Sequence, residues 1–290
     1  MKTIGGLLIL TALAGCGAAD DYSIIALGRE NSSGSHTYFK EHVLGGEDFS
    51  SDVEMLPGTA ALVSAVMQDQ RAMGYGGIAY LTGVRALRVK KDPASPAVAP
   101  TQESVQKGSY PIARSLYYYT LGEPEGLAKA FIDWSRGAEG QKICSDVGYF
   151  PIPGLATAGA SDAPPAGKQT LTIKGSDTMK ILTSRWAEKY AQLHPDCAIQ
   201  CVGGGSENGI KALREGEIQI CQSSRQLKPA ELDEIAAKRG KRPVEFAVAL
   251  DGLAVFVNEK NPLQEISLAE LKSIYTGKLK RWGEITHPSH

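Results

Sequence analysis

Short strands that alternate with helices are the feature of this sequence that most limits its fold. A turn rich in glycine or serine, and then a helical pattern, follow each of four apolar runs: residues 23–27, 170–174, 198–202 and 218–221. Successive strand–helix units place their strands side by side, with the helices packed on the faces of the sheet. The sequence therefore predicts an α/β fold with mostly parallel strands.

Three of the turns carry residues suited to binding an anion. They are residues 28–37 (GRENSSGSHT), residues 175–178 (GSDT) and residues 203–210 (GGGSENGI). Each turn leads into a predicted helix, whose first N–H groups carry partial positive charge and point at the turn. Arg29 adds a planar fork of donors that can pair with two oxygens of one anion. We therefore expect these turns to bind an anion.

Composition and charge exclude several classes of function. The chain has 290 residues, 42% of them hydrophobic, and a formal net charge of −1. This length suits one large or two medium domains, and the charge gives no broad basic surface for nucleic acid. The sequence lacks the GxSxG, HExxH and P-loop motifs, and its five histidines do not cluster. We therefore predict a binding protein rather than an enzyme, with no cofactor, no metal and no nucleic-acid partner.

The N-terminus has the pattern of an export signal. Lys2 precedes an apolar stretch, residues 4–14, that is too short to span a bilayer. The stretch ends in LAGC at residues 13–16, which resembles the lipobox of bacterial lipoproteins. This resemblance implies a signal peptide over residues 1–15, lipidation of Cys16, a tether over residues 16–21, and a location in the periplasm or on the cell surface. An ordinary secretory signal with a chance cysteine is the alternative.

The chain has four further cysteines and one segment without apolar periodicity. Cys201 and Cys221 lie on predicted neighbouring strands, so a disulfide between them and free buried thiols are both open, and pairing of Cys144 and Cys197 is not fixed. Residues 154–168 (GLATAGASDAPPAGK) read as a linker of small residues and proline.

Several segments together resemble the substrate-binding protein of the bacterial phosphate ABC transporter. The matching segments are KGSDTM (174–179), VGGGSENGI (202–210), DGLAVFVNEKNP (251–262), YTGKLKRW (275–282), LGRENSSGSHTYF (27–39) and GYGGIAYL (74–81). The resemblance implies a two-lobed periplasmic-binding-protein fold of type II, with two crossover strands between the lobes. It also implies inorganic phosphate as the ligand, and the permease subunits of an ABC transporter as partners, with a lipid anchor as the only membrane attachment.

The order of these segments is reversed relative to the family. The family's C-terminal half comes first, which makes the chain resemble a circular permutant whose residues 154–168 join the usual C- and N-termini. One lobe would then comprise residues 22–85 with 259–290, and the other residues 86–153 with 169–258. Two half-domains from a longer tandem are the alternative. A natural and an engineered origin of the permutation, the latter as a phosphate sensor, are both open.

The resemblance also assigns residues to the site. Carried over onto this sequence, the phosphate-binding residues are Arg29, Ser33, Gly34, Ser35, Ser176, Thr178, Ser206 and Ser224. Some family members have an aspartate where this chain has Ser224, and that aspartate accepts the proton of monohydrogen phosphate. Asp177 is the candidate to replace it, with Glu30 and Glu207 as alternatives, while Arg225 is either a second cation or a solvated or interlobe residue. Rival functions are binding of sulfate, molybdate or a phosphonate, and hydrolysis of phosphate esters.

Overall fold

The strands and helices predicted from the apolar runs are present in the computed structural model, which describes residues 22–155 and 166–285. The predicted signal peptide, the tether with Cys16 and most of the 154–168 linker lie outside the described residues. The strands are β1 (Ile25–Arg29), β2 (Glu54–Leu56), β3 (Ala72–Gly77), β4 (Val84–Ala86), β5 (Arg88–Lys90), β6 (Ala113–Leu121), β7 (Gln169–Gly175), β8 (Cys197–Val202), β9 (Ile220–Ser223), β10 (Pro243–Asn258) and β11 (Glu265–Ser267).

The helices follow the strands as predicted. They are α1 (Gly34–His42), α2 (Thr59–Gln68), α3 (Gln102–Gln106), α4 (Gly126–Arg136), α5 (Ala138–Val147), α6 (Asp177–Leu193), α7 (Ser206–Glu215), α8 (Pro229–Arg239) and α9 (Leu268–Tyr275). In the described residues, no helix has the length and apolar character to span a bilayer.

One long strand connects the two ends of the main sheet, whose order is β2-β1-β3-β10-β6-β9-β7-β8 with β4 also on β10. Residues 243–252 of β10 pair with β6, and residues 253–258 pair with β3 and β4. The pairs β1–β2, β1–β3, β7–β8 and β7–β9 are parallel, as predicted. However, β6 and β10 run antiparallel at the centre, because they cross between the two ends of the molecule in opposite directions.

The hydrophobic side chains form separate cores on the two sides of this crossing. The first lobe contains β1–β5, β11, α1–α3, α9 and the end of β10, and the second lobe contains β6–β9, α4–α8 and the start of β10. Leu87, Val89 and Tyr110 pack in the first lobe. The packing therefore favours lobe boundaries near residues 113 and 252, rather than the predicted boundaries at 85 and 258.

Stacked aromatic rings fix the helix that carries the first anion-binding turn. Phe39 on α1 stacks on Tyr75 of β3 with 4.0 Å between ring centroids, and Tyr275 meets Phe39 edge to face. All three side chains are fully buried. The Tyr275 hydroxyl also donates to the carbonyl oxygen of Leu27 at 3.0 Å. This cluster holds the N-terminus of α1 against the carboxyl end of β1.

The cysteines of the second lobe are free thiols. The prediction that Cys201 and Cys221 lie on neighbouring strands was wrong, because β7 lies between β8 and β9. Ile173 of β7 is opposite Cys201, and Lys174 is opposite Cys221. Since a whole strand separates the two thiols, this disulfide is excluded; both thiols are free, with Cys221 buried and Cys201 partly exposed.

Candidate anion-binding site

The two turns that the sequence singles out meet between the lobes. Ser33 caps α1 at the end of the first turn, and Ser206 is the first residue of α7 after the triple glycine. The backbone N–H of Glu207 donates to the carbonyl oxygen of Ser32 at 3.1 Å. A Cβ on Gly34 would overlap the Ser206 side chain, so the glycine is what permits this approach. The turns are therefore in direct contact although they lie far apart in the sequence.

Five hydroxyl groups converge where the turns meet, and we call them the hydroxyl cluster: Ser33, Ser35, Thr178, Ser206 and Ser224. Each of these residues is at most 2% exposed. Ser35 Oγ lies 3.0 Å from Thr178 Oγ1, and Ser206 Oγ lies 3.5 Å from Ser224 Oγ. The first contact joins the two lobes, and the second lies within the second lobe. The cluster is therefore a dry set of donors supplied by both lobes.

Three helices begin at the cluster. They are α1, α6 and α7, whose N-cap residues are Ser33, Ser176 and Gly205. The positive ends of these helix dipoles favour negative charge at this point. Ser176 is itself 2% exposed, and none of the hydrogen bonds found among the described residues joins its hydroxyl to the cluster. Ser176 thus contributes through the start of α6 in this arrangement.

Arg29 is buried beside the cluster, but its side chain is engaged by other groups. Its Nε and Nη2 donate to Glu30 at 3.0 and 2.9 Å, and its Nη1 donates to Thr59 at 2.6 Å. Its Nη2 also lies 3.4 Å from Asp177 of the second lobe. Although burial opposes ionisation of Glu30, the bonds with Arg29 outweigh it, so the pKa of Glu30 lies below its usual value. Arg29 therefore links the lobes through Asp177.

The carboxylates considered as proton acceptors all have partners. Asp177 accepts from the N–H of Gly204 at 3.0 Å through Oδ1 and pairs with Arg29 through Oδ2. Glu30 accepts from Arg29 and from the N–H of Gly58 at 3.2 Å. Glu207 pairs with Arg225. The structure thus places these carboxylates around the hydroxyl cluster, with their oxygens directed to arginines and backbone N–H groups.

Arg225 is held within the second lobe by two carboxylates. It pairs with Glu207 on α7, and its Nη2 lies 2.6 Å from Glu231 on α8. Its side chain is 3% exposed. The expectation of a solvated or interlobe residue was wrong, because the side chain is buried and both partners lie in its own lobe. The two carboxylates also disfavour a role as a second cation for the ligand and favour a structural role.

A second buried arginine, Arg114, contacts the hydroxyl cluster, and the sequence analysis missed it. Its Nη2 donates to Ser35 Oγ at 2.9 Å, and its Nη1 donates to the carbonyl oxygen of Ser224 at 3.1 Å. On its other edge, Nε donates to Asp251 Oδ2 at 2.9 Å. The available signal was a charged residue within each of two largely apolar segments, since a buried charge needs a partner of opposite charge.

Comparisons with known proteins agree with this architecture. A family model described as a PBP superfamily domain matches residues 14–139 and 160–289. The phosphate-binding protein PstS 2 of Streptococcus pneumoniae serotype 4 is 30% identical over 273 residues, which cover 91% of this chain and 88% of that protein. The phosphate-binding protein PstS of Bacillus subtilis strain 168 is 40% identical over 116 residues, or 40% of this chain and 37% of that protein.

A solved structure extends the likeness to the fold. It is the phosphate-binding protein of a phosphate ABC transporter from Streptococcus pneumoniae TIGR4, which is 28% identical to this chain. The two structures superpose with a TM-score of 0.68, over 91% of this chain and 100% of that one. This match and the family model confirm the predicted α/β, two-lobed periplasmic-binding-protein fold.

Proposed function

Because this chain belongs to the PBP superfamily, and within it to the family of PstS phosphate-binding proteins, we propose that it binds inorganic phosphate between its lobes. Phosphate is tetrahedral and presents four oxygens, so it needs donors from several directions. The hydroxyl cluster supplies such donors from both lobes, and three helix N-termini add positive potential. The observation that carries the proposal is the convergence of five buried hydroxyls with Arg114 and Arg29 at the lobe interface.

The same arrangement supports capture by a hinge motion. Contacts such as Ser35–Thr178 and Glu207–Ser32 join the lobes, and they have to form whenever the lobes close. Strands β6 and β10 are the connections on which the lobes turn. We propose that phosphate stabilises the closed form by bridging donors of both lobes.

We further propose that the bound phosphate passes to an ABC permease. The relatives and the solved structure named above include a binding protein of a phosphate ABC transporter, which supports this partner. Export and attachment through a lipid on Cys16 are part of the proposal, with the periplasm or cell surface as the location. Labelling of the expressed protein with radioactive palmitate, and loss of the label in Cys16→Ala, would test the anchor.

A second candidate ligand is another tetrahedral oxyanion such as sulfate. The specific observation in its favour is the serine at position 224, together with the paired state of Asp177 and Glu30. Sulfate carries no proton at neutral pH, so a site without a free carboxylate has less means of rejecting it. Competition calorimetry separates the candidates, because a phosphate titration that excess sulfate leaves unchanged supports selective phosphate binding.

The first prediction tests the proposed site with a matched pair of buried serines. Ser206→Ala removes a donor from the hydroxyl cluster, so it should weaken phosphate binding by about 1–3 kcal/mol, the value of a hydrogen bond to a charged group. Ser135→Ala is the control, because Ser135 is also fully buried but donates to the carbonyl oxygen of Ile132 on α4. Isothermal titration calorimetry measures both. Equal phosphate affinity of wild type and Ser206→Ala would refute the placement of the site.

A further inference from the structure

Arg114 and Asp251 form a buried ion pair that the family resemblance did not assign to the site. The side chains are 2% and 0% exposed, and Arg114 Nη2 lies 2.8 Å from Asp251 Oδ2. Asp251 Oδ1 accepts the backbone N–H of Ile78 at 2.9 Å. The carboxylate is therefore held by the first lobe, and in turn it fixes the guanidinium of Arg114 in one orientation.

The remaining edge of the Arg114 guanidinium faces the hydroxyl cluster. Its two terminal nitrogens donate to Ser35 Oγ and to the carbonyl oxygen of Ser224. Arg29, in contrast, directs its nitrogens to Glu30, Thr59 and Asp177. Of these two arginines, Arg114 is thus the one with direct hydrogen bonds to the cluster.

The tyrosines around Arg114 add no charge of their own near neutral pH. Tyr38 on α1 lies under its guanidinium, 5.4 Å from ring centroid to Cζ, and Tyr75 and Tyr149 are nearby. Burial raises the pKa of each of these tyrosines, so they stay neutral. The exposed groups of the adjoining cleft are His42, Glu41 and Lys228, and the latter two form an ion pair of 2.8 Å.

We propose that Arg114 is a second anion-binding arginine of this site, positioned by Asp251, and that it makes the site prefer dianionic to monoanionic phosphate. The inference rests on the proposed phosphate function. Hydroxyl donors bind an oxygen of either species, whereas the attraction of a fixed cation is proportional to the charge of the ligand. In a dry site this difference is large, because little water screens it.

The experiment measures phosphate affinity by calorimetry at about pH 6 and about pH 8, since phosphate groups take up their second charge in this range. Arg114→Gln alone would leave Asp251 buried and unpaired, so it is combined with Asp251→Asn to give a neutral, hydrogen-bonding pair. Arg114→Lys keeps the charge but loses the planar fork. Arg136→Gln is the control, because this arginine lies on α4 and donates to the carbonyl oxygen of Ala247.

For the wild type and the control we expect affinity to rise between the two pH values. The neutral pair should lose roughly ten- to a hundredfold in affinity at the higher pH and less at the lower pH, so its pH dependence flattens. Arg114→Lys should bind more weakly than wild type while keeping the pH dependence.

Three results would overturn the inference while leaving the phosphate function in place. The first is a folded neutral-pair variant with the affinity of wild type. The second is an equal loss of affinity at both pH values, and the third is a pH dependence that is lost in Arg114→Lys as well; either of these would indicate a purely structural role. Failure of the wild type to bind phosphate at either pH would instead refute the proposed function itself.

Discussion

At the scale of single residues, Gly34 lies at a close contact between the two lobes. Its α-carbon faces Ser206 and Ser224 of the opposite lobe, and a Cβ built on it would lie 2.7 Å from Ser224 Oγ. Its φ angle is not among the positive values found for other glycines of the chain. The residue is therefore needed for space rather than for backbone conformation.

The second prediction follows from this lack of space. Gly34→Ala should fold normally but weaken phosphate binding by about 1–3 kcal/mol, because the added methyl group forces the hydroxyls apart in the closed form. Gly46→Ala is the control: nothing lies within 4 Å of its Cβ position, but its φ of +87° makes alanine cost about 1–2 kcal/mol of stability. Calorimetry and thermal unfolding separate the two effects. A Gly34→Ala variant with wild-type affinity would contradict the contact.

Residue types in the turns predicted members of the candidate site, whereas residue types inside the strands did not. Ser33 and Ser206 lie next to glycines in recognisable turns, so it was predictable that these turns would meet. Arg114 and Asp251 were not, because β10 also carries Glu245, and only the register of β6 with β10 shows that Arg114 and Asp251 are partners. Contacts across strands depend on register, which the sequence alone does not determine.

At the scale of secondary-structure elements, β10 shows how tertiary contacts override a local pattern. The sequence suggests two apolar runs broken by Asp251 and Gly252, but the structure has one strand over Pro243–Asn258. Asp251 is neutralised by Arg114, and Gly252 lies where a Cβ would be 3.0 Å from Pro100. Both residues are thus accommodated inside the strand, so the chain crosses between the lobes without a turn.

The N-terminus of α6 is held by tyrosines from both lobes. The Tyr80 hydroxyl of the first lobe donates to the carbonyl oxygen of Asp177 at 2.7 Å. Burial raises the pKa of Tyr80 to about 12, so this hydroxyl stays protonated as a donor. Within the second lobe, the Tyr118 hydroxyl lies 2.9 Å from Thr183 Oγ1 on the same helix. One contact depends on closure of the lobes, and the other does not.

The third prediction uses these tyrosines as a matched pair. Tyr80→Phe should lower phosphate affinity by about 0.5–1.5 kcal/mol, because the lost hydrogen bond exists only when the lobes are closed. Tyr118→Phe should lower the free energy of unfolding by a similar amount and leave phosphate affinity unchanged. Urea denaturation without phosphate and calorimetry with it measure the two quantities. The idea fails if both variants change affinity equally.

At the scale of the whole molecule, the two ends of the described chain are neighbours. The N–H of Trp282 donates to the carbonyl oxygen of Tyr22 at 3.2 Å, and the N–H of Ile24 donates to that of Lys280 at 2.8 Å. Chain ends that lie together are what a circular permutation requires. The alternation of strands and helices could not reveal this proximity, because it depends on how the first lobe closes around both ends.

We propose that the halves of this chain stand in a permuted order that the pneumococcal relative shares. An alignment that keeps the order of residues can cover only one half of a protein whose halves are reversed. The match of about two fifths of this chain with the Bacillus subtilis protein fits that case, whereas the pneumococcal match covers 91% of the chain. The shared order with a natural protein favours a natural origin over an engineered sensor.

The alternative of two half-domains from a longer tandem predicts a different packing of the hydrophobic side chains. If residues 22–155 and 166–285 were independent half-domains, each would contain its own core. Instead, β6, α4 and α5 come from the first half but pack in the second lobe with β7, β9 and α6 from the second half. Each lobe thus needs both halves, and neither half is expected to fold by itself.

The fourth prediction concerns a variant in which the two halves of the chain are exchanged in order while their contacts are kept. A variant that runs from residue 166 to residue 285 and then, through a short glycine–serine linker, from residue 22 to residue 155 should fold and bind phosphate with an affinity within about 1 kcal/mol of wild type. The new junction joins residue 285 to residue 22, which lie close together, and the linker between residues 155 and 166 is opened. Since short flexible loops differ little in closure entropy, the exchange should cost little stability. Calorimetry and circular dichroism measure the outcome, with the two halves produced as separate chains for comparison. Separate halves that fold independently, or a reordered chain that fails to fold, would contradict the permutation.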